Sequence, residues 1–90
     1  MKRLTFVLEV TFNSDFDFET VKRDVEANSI KEWAEEKGYE FFFINRGIAF
    51  KSIGIPASYI VNDFGSLTII LDNEEWDLMV DFYQVALRLI

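Results

Sequence analysis

The chain has 90 residues, half of them apolar, with 16 acidic and 9 basic side chains and a net charge of −7. This length predicts one compact domain over residues 1–90, and ten Phe supply apolar material for its core. With neither Cys nor His, the composition excludes disulfides, thiolate chemistry, and the commonest general base and transition-metal ligand; the negative charge argues against direct binding of nucleic acid or anionic membranes.

The N-terminus has the outline of a secretory signal, with Lys2 and Arg3 ahead of an apolar run. Glu9 interrupts that run and no small-residue cleavage site follows. No stretch approaches the roughly 18 apolar residues of a membrane span. A cytoplasmic protein with no membrane contact is therefore expected. Leu4, Phe6, Leu8, Val10 and Phe12 alternate with Arg3, Thr5, Val7, Glu9 and Thr11, which predicts a strand with one apolar face. Asn13 to Asp15 ends it and offers helix caps.

Phe18, Val21 and Val25 recur at helical spacing, and Ile30, Trp33 and Ala34 do so on a rotated face. A helix to about Ala27, a break at Asn28–Ser29 and a second helix over Ile30 to Lys37 follow. Ser29 and Glu32 have capping-box spacing, and Gly38 suits a left-handed stop. Tyr39 to Gly54 predicts a hairpin turning near Asn45-Arg46-Gly47, with Gly47 supplying positive φ. Ser58 to Leu71 fits a second hairpin turning at Asn62 to Gly65, in which Ser66 to Leu71 is the more secure strand. From Asp72 onward the spacing predicts a helix, capped by Asp72 or Asn73 and carrying Glu74 and Glu75 in its first turn.

The predicted class is α+β: a mainly antiparallel sheet of four or five strands with helices on one face, in the order β-α-(α)-β-β-β-β-α. No motif identifies a family. The four glycines are scattered, so there is no phosphate-binding loop, and no nucleophile–His pair exists. Asp15 and Asp17 open like a Ca²⁺ loop, but Glu19 stands fifth and no Gly stands sixth. Asp77 and Asp81 lie four apart and could share Mg²⁺ with a phosphate substrate, but no third ligand clusters with them. No catalytic residue, metal or cofactor is assigned.

Two features of the C-terminal third point to a partner. Asp72, Glu74, Glu75, Asp77 and Asp81 form an acidic surface, and no Lys or Arg occurs between Ser52 and Leu87. Read as a helix, the segment also leaves an apolar arc of roughly 220°, well beyond the stripe that packing on one sheet requires. Trp76, Val80, Tyr83 and Leu87 on that arc are candidate interface anchors. The run Phe41 to Ile44 points apolar side chains to both faces of its strand, so the sheet's second face is expected to be covered in part. The leading expectation is a non-enzymatic acidic protein-binding domain, in its sharper form an inhibitor of phage or immunity type. Its carboxylates would occupy the basic site of a nucleic-acid-processing protein. The alternatives are a homo-oligomeric (dimeric) structural or adaptor protein, and a carboxylate enzyme using a divalent metal.

Overall fold

In the computed structural model, β1 (Thr5–Phe12) is followed by α1 (Phe18–Ala27), α2 (Ile30–Glu36), β2 (Glu40–Ile44), β3 (Gly47–Ile53), β4 (Ala57–Val61), β5 (Leu67–Leu71), β6 (Glu74–Leu78) and β7 (Phe82–Leu89). The structure describes residues 3–13, 18–27, 29–63, 65–78 and 82–90, and of Phe18, Thr20, Val21, Asp24 and Tyr83 the backbone alone. The strands form two antiparallel sheets. The first has the order β2-β3-β1-β7 and the second β4-β5-β6.

The N-terminal two-thirds follows its sequence pattern closely. In β1, Leu8, Val10 and Phe12 are buried, beside Ile48 and Phe50 of β3. Phe6 is half-buried and Leu4 exposed, so the apolar face runs out at the start of the strand. Val25, Ile30 and Ala34 bring the two helices onto this face, in one buried cluster with Ala57, Leu67, Ile69, Leu71 and Leu78 of the second sheet. The side chains of Phe18 and Val21, predicted beside Val25, lie outside the description, as do the backbone and side chains of Asp15 and Asp17. Phe41 and Phe43 pack against the core while Phe42, between them, is 44% exposed on the opposite face. That face is covered only in part, as expected: Val7 and Ala49 on it are buried, while Phe42 at the end strand is open.

Two local devices differ from expectation. Ser29 sits at φ 58° and makes no side-chain cap bond, so the Ser29–Glu32 capping box does not form. A left-handed residue here turns the chain between α1 and α2, and the Ser29 carbonyl still accepts the Trp33 N–H. In the β2–β3 turn it is Arg46 that takes positive φ, 59°. Gly47 is required for another reason: a Cβ there would fall 2.0 Å from the Val10 carbonyl oxygen, where β3 pairs with β1 opposite Thr11.

The principal correction concerns the C-terminal segment, which is strand throughout its described length. Asp72 and Asn73 are not helix caps. They are the two central residues of a tight hairpin, with φ 48° and 66°, the pattern of a type I′ turn. Leu71 faces Glu74 across it, and β6 continues along β5 with Ile69 opposite Trp76 and Leu67 opposite Leu78. Glu74 and Glu75 therefore lie on a strand and gain nothing from a helix dipole. The chain then passes to the far edge of the first sheet, where β7 pairs antiparallel with β1. A strand's period of two divides these residues differently from a helix. Val85, Leu87 and Leu89 fall on one side and Gln84, Ala86 and Arg88 on the other, so the broad helical arc does not exist. The sheet content is correspondingly higher than predicted, with two sheets in place of one of four or five strands. Arg88 pairs with Glu9 across β1 and β7.

Candidate functional site

β6 is an end strand of the second sheet and carries three acids in five residues. Its hairpin geometry determines where each one points. Leu71 and Glu74 flank a two-residue turn, so they form a mutually hydrogen-bonded pair. By the alternation of an antiparallel ladder, Glu74, Trp76 and Leu78 direct their backbone groups to β5. Glu75 and Asp77 direct theirs to the open edge.

The side chains divide along the same period. Glu74 and Trp76 lie on the inner face with Leu78, which is buried. Trp76 meets Trp33 of α2 with ring centroids 5.2 Å apart and planes inclined 45°, and both rings are half-buried. Glu74 forms an ion pair with Lys37, four residues after Trp33. Glu36, three residues after Trp33 and so on the same side of the helix, is exposed. On the outer face, Glu75 and Asp77 are exposed. Asp77 ends a polar chain: the Asn62 amide donates to Thr68 Oγ1 at 2.9 Å, and Thr68 donates to Asp77 Oδ1 at 2.8 Å. One open sheet edge is thus bordered by carboxylates on both sides and by a tryptophan pair on one.

The predicted acidic set is only partly reunited. Glu74, Glu75 and Asp77 line the edge and Asp72 occupies the adjoining turn, but Asp81 lies outside the described residues. The predicted apolar set is divided between the two sheets. Trp76 is at the β6 edge and Leu87 is on β7; Val80 is outside the description, and Tyr83 is described in backbone only. Glu36 was not singled out from the sequence as part of this surface. A Leu-Asp-Asn-Glu turn between alternating segments was the available signal, since it places Trp76 on the inner face opposite the helix.

A second polar cluster holds the link between the sheets. Tyr39, 2% exposed, donates its hydroxyl proton between the carbonyls of Ile55 (3.1 Å) and Pro56. Ser52 also donates to the Ile55 carbonyl. Burial pushes the Tyr39 phenol above its ordinary pKa; the hydrogen bonds with Ser52 and the Asp72 backbone oppose this, and the Asp72 charge adds to it. The hydroxyl of Ser52 belongs to this buried network. Lys51, the preceding residue, points to the opposite face of β3. Among the described residues no three acidic side chains converge as a metal site.

These features define a small α+β protein rich in antiparallel sheet, with an acidic edge. No protein-family model, curated protein or solved structure matches the chain. Among the described residues no helix is long and apolar enough to cross a membrane.

Proposed function

We propose that this chain is a non-enzymatic protein-binding domain whose β6 edge docks on a basic protein partner. The observation that carries this reading is the placement of Glu75 and Asp77 on an end strand beside the Trp33–Trp76 pair. Open-edge amide and carbonyl groups at these two residues offer a ladder to an extended segment. Their carboxylates favour one rich in Lys and Arg and repel an acidic one, while the half-buried indoles provide an aromatic anchor of the kind enriched at interfaces. In its sharper form the domain is an inhibitor, of phage or immunity type, whose carboxylates take the place of phosphates in the basic site of a nucleic-acid-processing protein. It would work in the cytoplasm and make no direct contact with nucleic acid.

The protein contains two Trp, Trp33 and Trp76, so their fluorescence reports on this surface directly. Titration with an extended Lys/Arg-rich peptide should change the emission saturably at low ionic strength. The affinity should fall as salt rises, and Glu75→Lys should weaken it without altering the far-UV spectrum. An acidic peptide of equal length should give no response. Binding of the basic peptide that is unaffected by Glu75→Lys would remove the β6 edge from the proposal; no saturable response at low salt would remove the basic partner.

A further inference from the structure

We infer that β7 is a self-association edge, at which two copies of this chain pair antiparallel about Leu87 to join their first sheets into one. The inference goes beyond the binding of a basic partner and does not depend on it.

β7 is the end strand of the first sheet. The phase of its hydrogen bonds follows from its last pair: Thr5 N–H donates to the Ile90 carbonyl at 3.3 Å and Ile90 N–H to the Thr5 carbonyl at 2.9 Å. Reciprocal bonding alternates along an antiparallel pair. With Val7 opposite Arg88, Glu9 opposite Ala86 and Thr11 opposite Gln84, those three β7 residues turn their backbone groups to β1. Val85, Leu87 and Leu89 turn theirs to the open edge. An exposed row of this kind is a template for another strand, and proteins usually blunt it with charge, Pro, a bulge or brevity. At eight residues β7 is longer than each of the other end strands, β2, β4 and β6, with five. Between Phe82 and Ile90 there is no Pro and no acid, and the one charge, Arg88, is already paired with Glu9. The only register irregularity against β1 lies at Thr11/Phe12, near the strand's start.

The side chains select a second copy as the occupant. A two-fold axis at Leu87 lets every outward residue meet an outward residue: Leu87 faces Leu87, and Val85 faces Leu89. On the inner side all of these are apolar; Leu87 is 39% exposed and Leu89 58% exposed in the single chain. On the outer side Ala86 faces Arg88, a small residue against a long one, with no like charges opposed. The chain's charge of −7 disfavours contact between copies over most of the surface. That repulsion is low along β7, whose own side chains include no carboxylate. β6 has the opposite character: Glu75 and Asp77 would oppose acids of a copy, so the two edges discriminate between a copy and a basic partner.

Sedimentation of the wild-type protein should give a concentration-dependent mass approaching twice 10.6 kDa. Leu87→Lys and Leu87→Glu each place like charges across the two-fold axis and should sediment as monomers. Mixed together they should recover the dimer, because Lys then faces Glu. Amide hydrogen exchange supplies a measurement that needs no variant. The Val85, Leu87 and Leu89 amides should gain protection as concentration rises, whereas Ala86 and Arg88 should be protected throughout by β1. A wild-type monomer from micromolar to millimolar concentration would overturn the inference. So would a dimer in which the Val85, Leu87 and Leu89 amides stay unprotected, or folded Lys and Glu variants that remain dimeric when alone.

Discussion

Trp33 on α2 and Trp76 on β6 lie 43 positions apart in the chain and meet with ring centroids at 5.2 Å. The contact attaches the short second helix to the edge of the second sheet, and the Lys37–Glu74 ion pair lies beside it. The pairing should have a measurable coupling. In a double-mutant cycle with Trp33→Ala and Trp76→Ala, urea unfolding should give an interaction of about 0.5–1.5 kcal/mol, the usual range for an aromatic pair. Additive losses would mean that each ring packs independently.

The Asp72–Asn73 turn makes a prediction that distinguishes a hairpin from a helix start. Asn73 holds φ at 66°, a conformation that glycine adopts without a Cβ penalty. Asn73→Gly should therefore raise stability by about 0.5–1 kcal/mol. At a helix N-cap the same change would cost a few tenths. The urea midpoint reads the sign.

Gly47 offers a steric test of the close approach of β3 to β1. Its Cα hydrogen faces the Val10 carbonyl oxygen, and an added Cβ would lie 2.0 Å from it. Both atoms belong to buried backbone, so no side chain can swing away. Gly47→Ala should cost at least the upper end of the about 1–3 kcal/mol typical of overpacking. A variant with an unchanged melting temperature would show that the strands do not approach this closely.

Tyr39 links the fold to pH. Its phenol titrates higher in the folded chain than the ordinary value of about 10, principally because it is buried. The unfolded chain therefore releases this proton first as pH rises, so it binds fewer protons than the native state and stability declines. The stabilising contribution is complete below pH of about 10 and is lost as pH climbs through the folded value. Tyr39→Phe should remove this component from the alkaline limb of a stability–pH curve. At neutral pH it should cost about 0.5–1.5 kcal/mol, the usual net contribution of one hydrogen bond, here the one to the Pro56 carbonyl. If the alkaline limbs of wild type and variant run parallel, Tyr39 does not titrate in this way.

The centre of β1 should be the most sensitive part of the chain to truncation. Leu8 is fully buried between Phe50 of β3 and Leu87 of β7. Leu8→Ala should cost about 2–5 kcal/mol, seen as a shift of the urea midpoint at constant slope. An unchanged midpoint would remove β1 from the core.

The sequence by itself determined the elements whose apolar period agrees with their local stop signals. Alternation from Leu4 to Phe12 makes β1, helical spacing ended by Gly38 makes α1 and α2, and the segments around Asn45–Arg46 and Asn62–Gly65 make two hairpins. Each of these rests on contacts between residues close in the chain or on a single buried face. The last third was ambiguous for a physical reason. Asp and Asn serve both as helix caps and as left-handed turn residues, and the dense apolar run after Trp76 satisfies a period of 3.6 almost as well as a period of two. The overly broad helical arc was the local sign that the helix was the wrong choice. Only the tertiary structure resolved it. β5 offers β6 a ladder with Trp76 under Trp33, and β1 has a second edge free for β7. The β1–β7 pairing, distant in sequence, is selected by burial and by the backbone groups left unpaired, which no window along the chain contains. The division of the acidic residues among the edge, the turn and an ion pair is a consequence of the same selection.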